Sequence, residues 1–336
     1  MANEWVDIII FLAGLVLIIK GADWVTDYGS QLAKKLGVSE LVIGLTLVAM
    51  ATSLPELAVS LVSAISGVAQ IATGTVIGSN ISNIALILGV SALVYPLATG
   101  RKYLNQAFVT LGFSVLIAAF LIGGMLWYEG LVILVFFIGY IFYSLKHRKE
   151  IGEEFLEGEE LVEASLHEKK AKAAKAKRKE KPSKDNDRNS KWKYTLFCIF
   201  GGLVVVVGAQ LLVTSTVNIA QWLGVPEALI AIVIIAIGTS LPELATSVTA
   251  AAKHMRGISL GNIIGTNIFN IAVLGIVSLF SAVHVNPGII FVGLPVMIAV
   301  TALLLIFMKT NWHLSRKEGI VLLVIYALFV GLQFVV

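Results

Sequence analysis

The chain has little of what most catalytic chemistry needs. Its single cysteine, Cys198, excludes an intramolecular disulfide and a cysteine-built metal site. The histidines His147, His167, His254, His284 and His313 fall between apolar runs or at their ends, and none pairs at metal-ligand spacing. No Ser/His/Asp set and no glycine-rich phosphate loop is present, which leaves a membrane-embedded enzyme without support. Charge is scarce as well: 14% of residues are Asp, Glu, Lys or Arg against 57% hydrophobic, with a mean hydropathy of +0.90. Such a chain is too apolar for one soluble core and suits a polytopic membrane protein.

Apolar runs long enough to cross a hydrocarbon layer of about 30 Å occur near 6–27, 41–66, 71–95, 104–125, 129–146, 194–215, 228–252, 259–283, 288–308 and 318–335. Backbone groups in lipid must be satisfied within the segment, so the expected fold is all-α with ten transmembrane helices. The first run has no basic leader and no small-residue cleavage site, and is expected to stay as the first helix. With the N-terminus external, one face collects Lys34, Lys35, Arg101, Lys102, the loop from Lys146 to Lys193, Lys253, Arg256, Lys309, Arg316 and Lys317. That face is expected to be cytoplasmic, with both termini outside in a cell (inner) membrane. The net charge of +4 thus reflects topology and not a nucleic-acid partner.

Two polar strings interrupt the apolar background: Ala51-Thr52-Ser53-Leu54-Pro55-Glu56 and Gly238-Thr239-Ser240-Leu241-Pro242-Glu243. They belong to a longer ungapped match offset by 187 residues, in which Gly78-Ser79-Asn80-Ile81-Ser82-Asn83 pairs with Gly265-Thr266-Asn267-Ile268-Phe269-Asn270. Five spans per copy is an odd number, so the second copy enters the membrane upside down, giving two inverted five-helix repeats, 1–146 and 193–336. Between them, 147–192 turns from acidic (Glu153 to Glu163) to basic (Lys169 to Lys181) and reads as a solvated cytoplasmic linker. Its basic run could also touch anionic lipid headgroups. No protein partner can be deduced.

A charged side chain in mid-bilayer costs about 3 kcal/mol or more, so two such glutamates require a compensating partner. Pro55 and Pro242 cannot donate a backbone hydrogen bond and crowd the carbonyls of Ala51 and Gly238, where each helix is expected to break. A proline in a span is often only a kink, and serine or threonine often bonds back to its own helix. Here the duplication, the adjacent Glu56 and Glu243, and the hydroxyls of Thr52, Ser53, Thr239 and Ser240 make an all-oxygen ligand set. Ser79 and Asn83 with Thr75, and Thr266 and Asn270 with Asn262, add one polar stripe each at four-residue spacing. Such oxygens suit Ca2+. Two carboxylates are neutralised by one Ca2+ or two Na+, and alternating occupancy of one site is the basis of antiport. Gly74, Gly78, Gly261 and Gly265 form small-xxx-small patterns that allow close helix approach. On the first helix Lys20 is placed to pair with Asp23.

At these strings the chain resembles the cation/Ca2+ exchanger superfamily, specifically its prokaryotic Na+/Ca2+ exchanger branch, over both halves but not the linker. The resemblance implies a secondary active antiporter exchanging Na+ for Ca2+ by alternating access, with no cofactor and no enzymatic activity. It implies Glu56 and Glu243 as central Ca2+ ligands, surrounded by Thr52, Ser53, Thr239, Ser240, Ser79, Thr266, Asn83 and Asn270, and it adds the carbonyls of Ala49 and Ala236. Two residues depart from the pattern. Ala51 replaces the usual Gly, and Asn270 stands where some members have Asp, which removes a titratable group. A Ca2+/H+ antiporter using the same site is the alternative, although such exchangers usually lack the Ser-Leu-Pro-Glu form.

Overall fold

The computed structural model describes residues 2–65, 69–146, 188–222, 240–283, 285, 288–310 and 312–332. The first helix, α1 (Ala2–Leu36), is longer at both ends than the run 6–27, because no proline interrupts it and it ends only at Gly37. Gly37 has φ +63°, a conformation that glycine adopts without strain. Val38 N–H then closes on the Ala33 carbonyl at 3.0 Å, a Schellman-type end. Ser39 caps the following segment by accepting from Val42 N–H at 3.4 Å. That segment comprises α2 (Glu40–Ile43), a π-helical turn (Gly44–Val48), α3 (Ala49–Thr52) and α4 (Leu54–Ile65), and its axis turns by 48° between Thr52 and Leu54.

Next come α5 (Ala69–Ser82), a second π-helical turn (Asn83–Ile87), α6 (Leu88–Val94), α7 (Arg101–Ile122) and α8 (Trp127–Lys146). After the linker follow α9 (Arg188–Trp222), α10 (Leu241–Ala252) and α11 (Arg256–Ser278). A third π-helical turn (Ile289–Gly293) leads into α12 (Leu294–Thr310), and α13 (Arg316–Leu332) ends the described chain. Pro295 accounts for that third turn, since it has no N–H for the Phe291 carbonyl. The expected span 228–252 is described only from Ser240 onward, where it is helical from Leu241 to Ala252. The expected linker, 147–192, is described only from Arg188.

Among the described residues, seven helices are long and apolar enough to cross a membrane, or eight if the bent pair at Thr52 and Leu54 counts as one. Outer faces carry large apolar side chains such as Trp5, Ile9, Val135, Phe142, Phe200 and Leu328, as lipid contact requires. The architecture is that of an all-α polytopic membrane protein. Its only described strands are β1 (Leu97–Ala98) and β2 (His313–Leu314), paired antiparallel. A single antiparallel bridge, Met125 to Val283, lies at the other end of α7.

The core is built around α11, which is buried on every face. Its glycines let it lie backbone against backbone on residues 41–49. A methyl group at Gly261 would come 2.6 Å from the Leu41 carbonyl oxygen, and one at Gly265 would come 2.5 Å from that of Leu45. The region matching 41–49 in the second copy, which Gly74 and Gly78 are expected to meet, falls outside the described residues.

Outside this core α1 and α9 pack along each other, again through glycine. A methyl at Gly208 would lie 2.9 Å from the Gly14 carbonyl oxygen, and one at Gly21 would lie 2.8 Å from that of Gly201. Tyr28 stacks on Phe197 with ring centres 4.8 Å apart. Near the far end of α1, Asp23 and Asp27 pair with Lys253 at 3.0 and 2.8 Å, so the partner of Asp23 comes from the end of α10 and not from Lys20. Partial burial by itself would lower the Lys253 pKa, but the hydrogen bonds and charges of Asp27 and Asp23 hold it above the ordinary lysine value.

Candidate functional site

Ser53 and Ser240 share one backbone conformation, φ −85°, ψ 10° and φ −90°, ψ 6°. The first segment turns at Ser53, two residues later than the crowded carbonyl of Ala51 suggested, and Ser240 opens α10 in the same way; Gly238 lies outside the described residues. The reason is positional. Turning at the serine puts Pro55 and Pro242 second in a new helix, where a missing N–H leaves no bond unmade. The same turn puts Glu56 and Glu243 in the first turns of α4 and α10, where free N–H groups and the helix dipole favour negative charge.

These elements bring most of the expected residues together. Both glutamates are fully buried, at 0% exposure, as are Thr52, Ser53, Asn83, Thr266, Asn270 and Ala49; Ser79 and Ser240 are nearly so. Thr239 and Ala236 lie outside the described residues. The Ser79 hydroxyl donates to Glu56 Oε1 at 3.4 Å, and that of Ser53 lies 3.3 Å from both Glu243 Oε1 and the Thr266 hydroxyl. Ser240 reaches Ser79 at 3.4 Å, and Thr52 reaches Asn262 Oδ1 at 3.2 Å. The Ala49 carbonyl accepts from the Ser53 hydroxyl at 2.8 Å and from Ser53 N–H at 3.1 Å.

Lys253 forms ion pairs with Asp23 and Asp27, and among the described residues neither buried glutamate has a basic partner. Among the expected ligands, four carboxylate or carboxamide oxygens are buried without a hydrogen-bond donor: Glu56 Oε2, Glu243 Oε2, Asn83 Oδ1 and Asn270 Oδ1. The described residues hold no group of three or more His, Cys, Asp or Glu that could hold a metal ion, so any cation here would rest on two carboxylates with neutral oxygens. What remains is a buried, oxygen-rich cluster whose two glutamates have no compensating charge among the described residues.

Sequence reasoning passed over Asn80 and Asn267, which make reciprocal bonds across the centre of this site. The available signal was their own duplication at the 187-residue offset.

The family profile described as "Sodium/calcium exchanger protein" matches residues 6–146 and 193–335. The chain belongs to the sodium/calcium exchanger protein family. Within that family it is 37% identical to "Sodium/calcium exchanger MaX1" of Methanosarcina acetivorans, over 98% of this chain and 99% of that one. It is 30% identical to "Inner membrane protein YrbG" of Escherichia coli, over 92% and 90% of the two chains. The solved structure of the sodium-calcium exchanger NCX_Mj, soaked with 10 mM Na+ and zero Ca2+, superposes with a TM-score of 0.81 at 30% identity, covering 98% of this chain and 99% of that one. The exchanger fold is therefore matched along nearly the whole chain.

Proposed function

We propose that this exchanger is a secondary active antiporter that moves Na+ against Ca2+ by alternating access, binding both at one all-oxygen site. The observation that carries this reading is the set of four unpartnered, buried oxygens on Glu56, Glu243, Asn83 and Asn270. The spacing of the hydroxyls adds to it. Ligands about 2.4 Å from a cation and at right angles to one another are about 3.4 Å apart. The contacts joining Ser79, Ser240, Ser53, Thr266 and the two carboxylates measure 3.3 to 3.4 Å, long for O–H···O bonds. Glu56 and Glu243 are the central ligands, with Thr52, Ser53, Ser79, Asn83, Ser240, Thr266, Asn270 and the Ala49 carbonyl around them. Thr239 and the Ala236 carbonyl complete the set as the counterparts of Thr52 and Ala49.

One Ca2+ or two Na+ neutralises two carboxylates, and the two ions compete for the same oxygens. Any further Na+ leaves net positive charge on the loaded site and makes exchange electrogenic. Asn270 adds no titratable group, and relatives named for sodium and calcium favour Na+ over H+ as the coupling ion. The transported ions are substrates; no cofactor enters the cycle, and no bond is made or broken.

The ten spans are read as two inverted five-helix repeats, 1–146 and 193–336, with 147–192 a cytoplasmic linker. Two sets of contacts support inversion. β1 before α7 pairs with β2 after α12, while Met125 after α7 pairs with Val283 before α12, so these counterpart helices run antiparallel. The bonds between Asn80 and Asn267 are also reciprocal. External termini and a cytoplasmic linker follow from the Lys and Arg distribution. The name of the Escherichia coli relative favours the inner membrane.

The test is Ca2+ uptake by the purified protein in liposomes, at clamped voltage, first under an outward Na+ gradient and then under a pH gradient without Na+. Uptake is expected only in the first case. Uptake driven by pH alone would replace Na+ by H+, and uptake without any counter-ion would make the protein a channel.

A further inference from the structure

Four buried asparagines meet where α5 faces α11: Asn80, Asn83, Asn267 and Asn270. Asn80 Nδ2 donates to the backbone carbonyl of Asn267 at 3.2 Å, and Asn267 Nδ2 donates to the backbone carbonyl of Asn80, also at 3.2 Å. A carbonyl can only accept, so these two bonds decide which end of each carboxamide is nitrogen. The other end of each is then an oxygen, and each oxygen receives one more amide. Asn270 Nδ2 donates to Asn80 Oδ1 at 3.1 Å, and Asn83 Nδ2 donates to Asn267 Oδ1 at 2.9 Å. The remaining ends, Asn83 Oδ1 and Asn270 Oδ1, are buried with no donor, as are one oxygen of Glu56 and one of Glu243.

The orientation of the two outer amides is therefore relayed from two backbone carbonyls through Asn80 and Asn267. Without that relay an amide can rotate half a turn and present N–H to the cavity, which repels a cation where Oδ1 would bind it. We propose that Asn80 and Asn267 are positioning residues for ion binding: Asn80 aims the oxygen of Asn270, and Asn267 aims the oxygen of Asn83, each acting on the opposite helix. This rests on the reading of Asn83 and Asn270 as ion ligands. Neither Asn80 nor Asn267 needs to touch the ion, because the carboxamide nitrogen and oxygen of each are already engaged.

The crossed arrangement makes the test specific. Ca2+ uptake into Na+-loaded proteoliposomes is measured against Ca2+ concentration for Asn80→Ala, Asn270→Ala, Asn83→Ala and the doubles of Asn80→Ala with each of the other two. Asn80→Ala is expected to raise the half-saturating Ca2+ concentration at least five-fold while the rate at saturating Ca2+ stays within three-fold. Combined with Asn270→Ala it adds no further loss of affinity; combined with Asn83→Ala, one turn away on its own chain segment, the losses multiply. Asn80→Leu, which refills the volume, gives the same affinity loss and guards against a simple packing defect. Thermal unfolding of the ion-free protein accompanies each variant, because a merely structural role lowers stability and maximal rate and leaves affinity alone. Losses that multiply equally in both doubles would overturn the positioning role with the ligand reading intact. Unchanged affinity in Asn83→Ala and Asn270→Ala would overturn the ligand reading and the proposal with it.

Discussion

The contact of α11 with residues 41–53 and α5, and the contact of the α1–α9 pair with that core, use glycine in opposite ways. In the first, glycines bring backbones so close that polar side chains can bond across: Thr52 to Asn262, Ser53 to Thr266, Asn80 to Asn267. In the second, close glycine contact lies mostly inside the pair, at Gly21, Gly201 and Gly208, and touches the core at Gly202, where a methyl would come 2.9 Å from Ala51 Cβ but no nearer than 3.7 Å to its backbone. Toward the core, a methyl at Gly29 would meet Ile258, Ile43 and Val48 only at 3.5 to 3.7 Å, ordinary van der Waals distance. Polar ties between pair and core gather toward the Leu36 end of α1, at Ser30 with Glu40 and at Lys253 with the two aspartates. A hydrogen-bonded interface has one register, whereas an apolar one offers small barriers to sliding. From this difference we expect fixed geometry at the ion site and movement in the pair, with α1 and α9 shifting together.

The fixed side breaks most completely at its charges. Glu56→Gln or Glu243→Gln retains the shape of the side chain but halves the charge available to Ca2+, and Ca2+ flux in liposomes should fall at least a hundredfold. Normal exchange in either variant would remove the site from its central place.

A cross-link separates the two contacts directly. After Cys198→Ser, the pair Gly29→Cys with Ile258→Cys ties α1 to α11. Oxidation should suppress exchange more than tenfold, and reduction should restore it. The pair Trp24→Cys with Phe200→Cys, whose rings stack with centres 5.8 Å apart, ties α1 to α9 within the unit and should leave exchange within about two-fold. Equal effects from both cross-links would dissolve the distinction between mobile and fixed contacts.

Gly265→Ala probes the fixed contact from its backbone side. The added methyl meets the Leu45 carbonyl oxygen at 2.5 Å and Ala49 Cβ at 2.8 Å, so α11 and the ligand-bearing segment must separate. Overpacking of this kind costs about 1–3 kcal/mol. A lower unfolding temperature and a roughly tenfold weaker Ca2+ affinity are expected; unaltered affinity would mean that the site tolerates displacement of residues 45–49.

Much of this was legible in the chain itself, because the membrane makes polar residues rare and therefore conspicuous. Glu56, Glu243 and the Ser79 and Asn83 stripe stood out against an apolar background, and the 187-residue offset tied them together. The turn at Ser53 was displaced from the expected Ala51 carbonyl because a proline can be accommodated either by kinking a helix or by starting a new one, and sequence spacing does not distinguish the two. The π-helical turns at Gly44–Val48 and Asn83–Ile87 carry no local signature that sets them apart from α-helix. The partner of Asp23 was hidden for a different reason: Lys253 is 230 residues away, and only tertiary packing makes it a neighbour.

That long-range pair offers the smallest effect and the finest test of the comparison. Partly exposed ion pairs are worth about 0–1 kcal/mol, so Lys253→Met should change stability little. As a tie between the moving helix and the core, it should still shift how often α1 leaves its present position, altering the exchange rate about two- to five-fold at low ionic strength and less at high salt. The sign of the pH dependence follows from the direction of the lysine shift. A raised pKa means that the link is fully present below the ordinary lysine value of about 10.4 and is lost only as pH climbs past it, so on the lysine's account the effect is flat from pH 6 to 9. Charge reversal by Lys253→Glu should exceed the neutral change, and Asp27→Lys in the same chain should bring the rate part of the way back. A rate indifferent to all three substitutions would leave the motion of α1 governed by its apolar contacts alone.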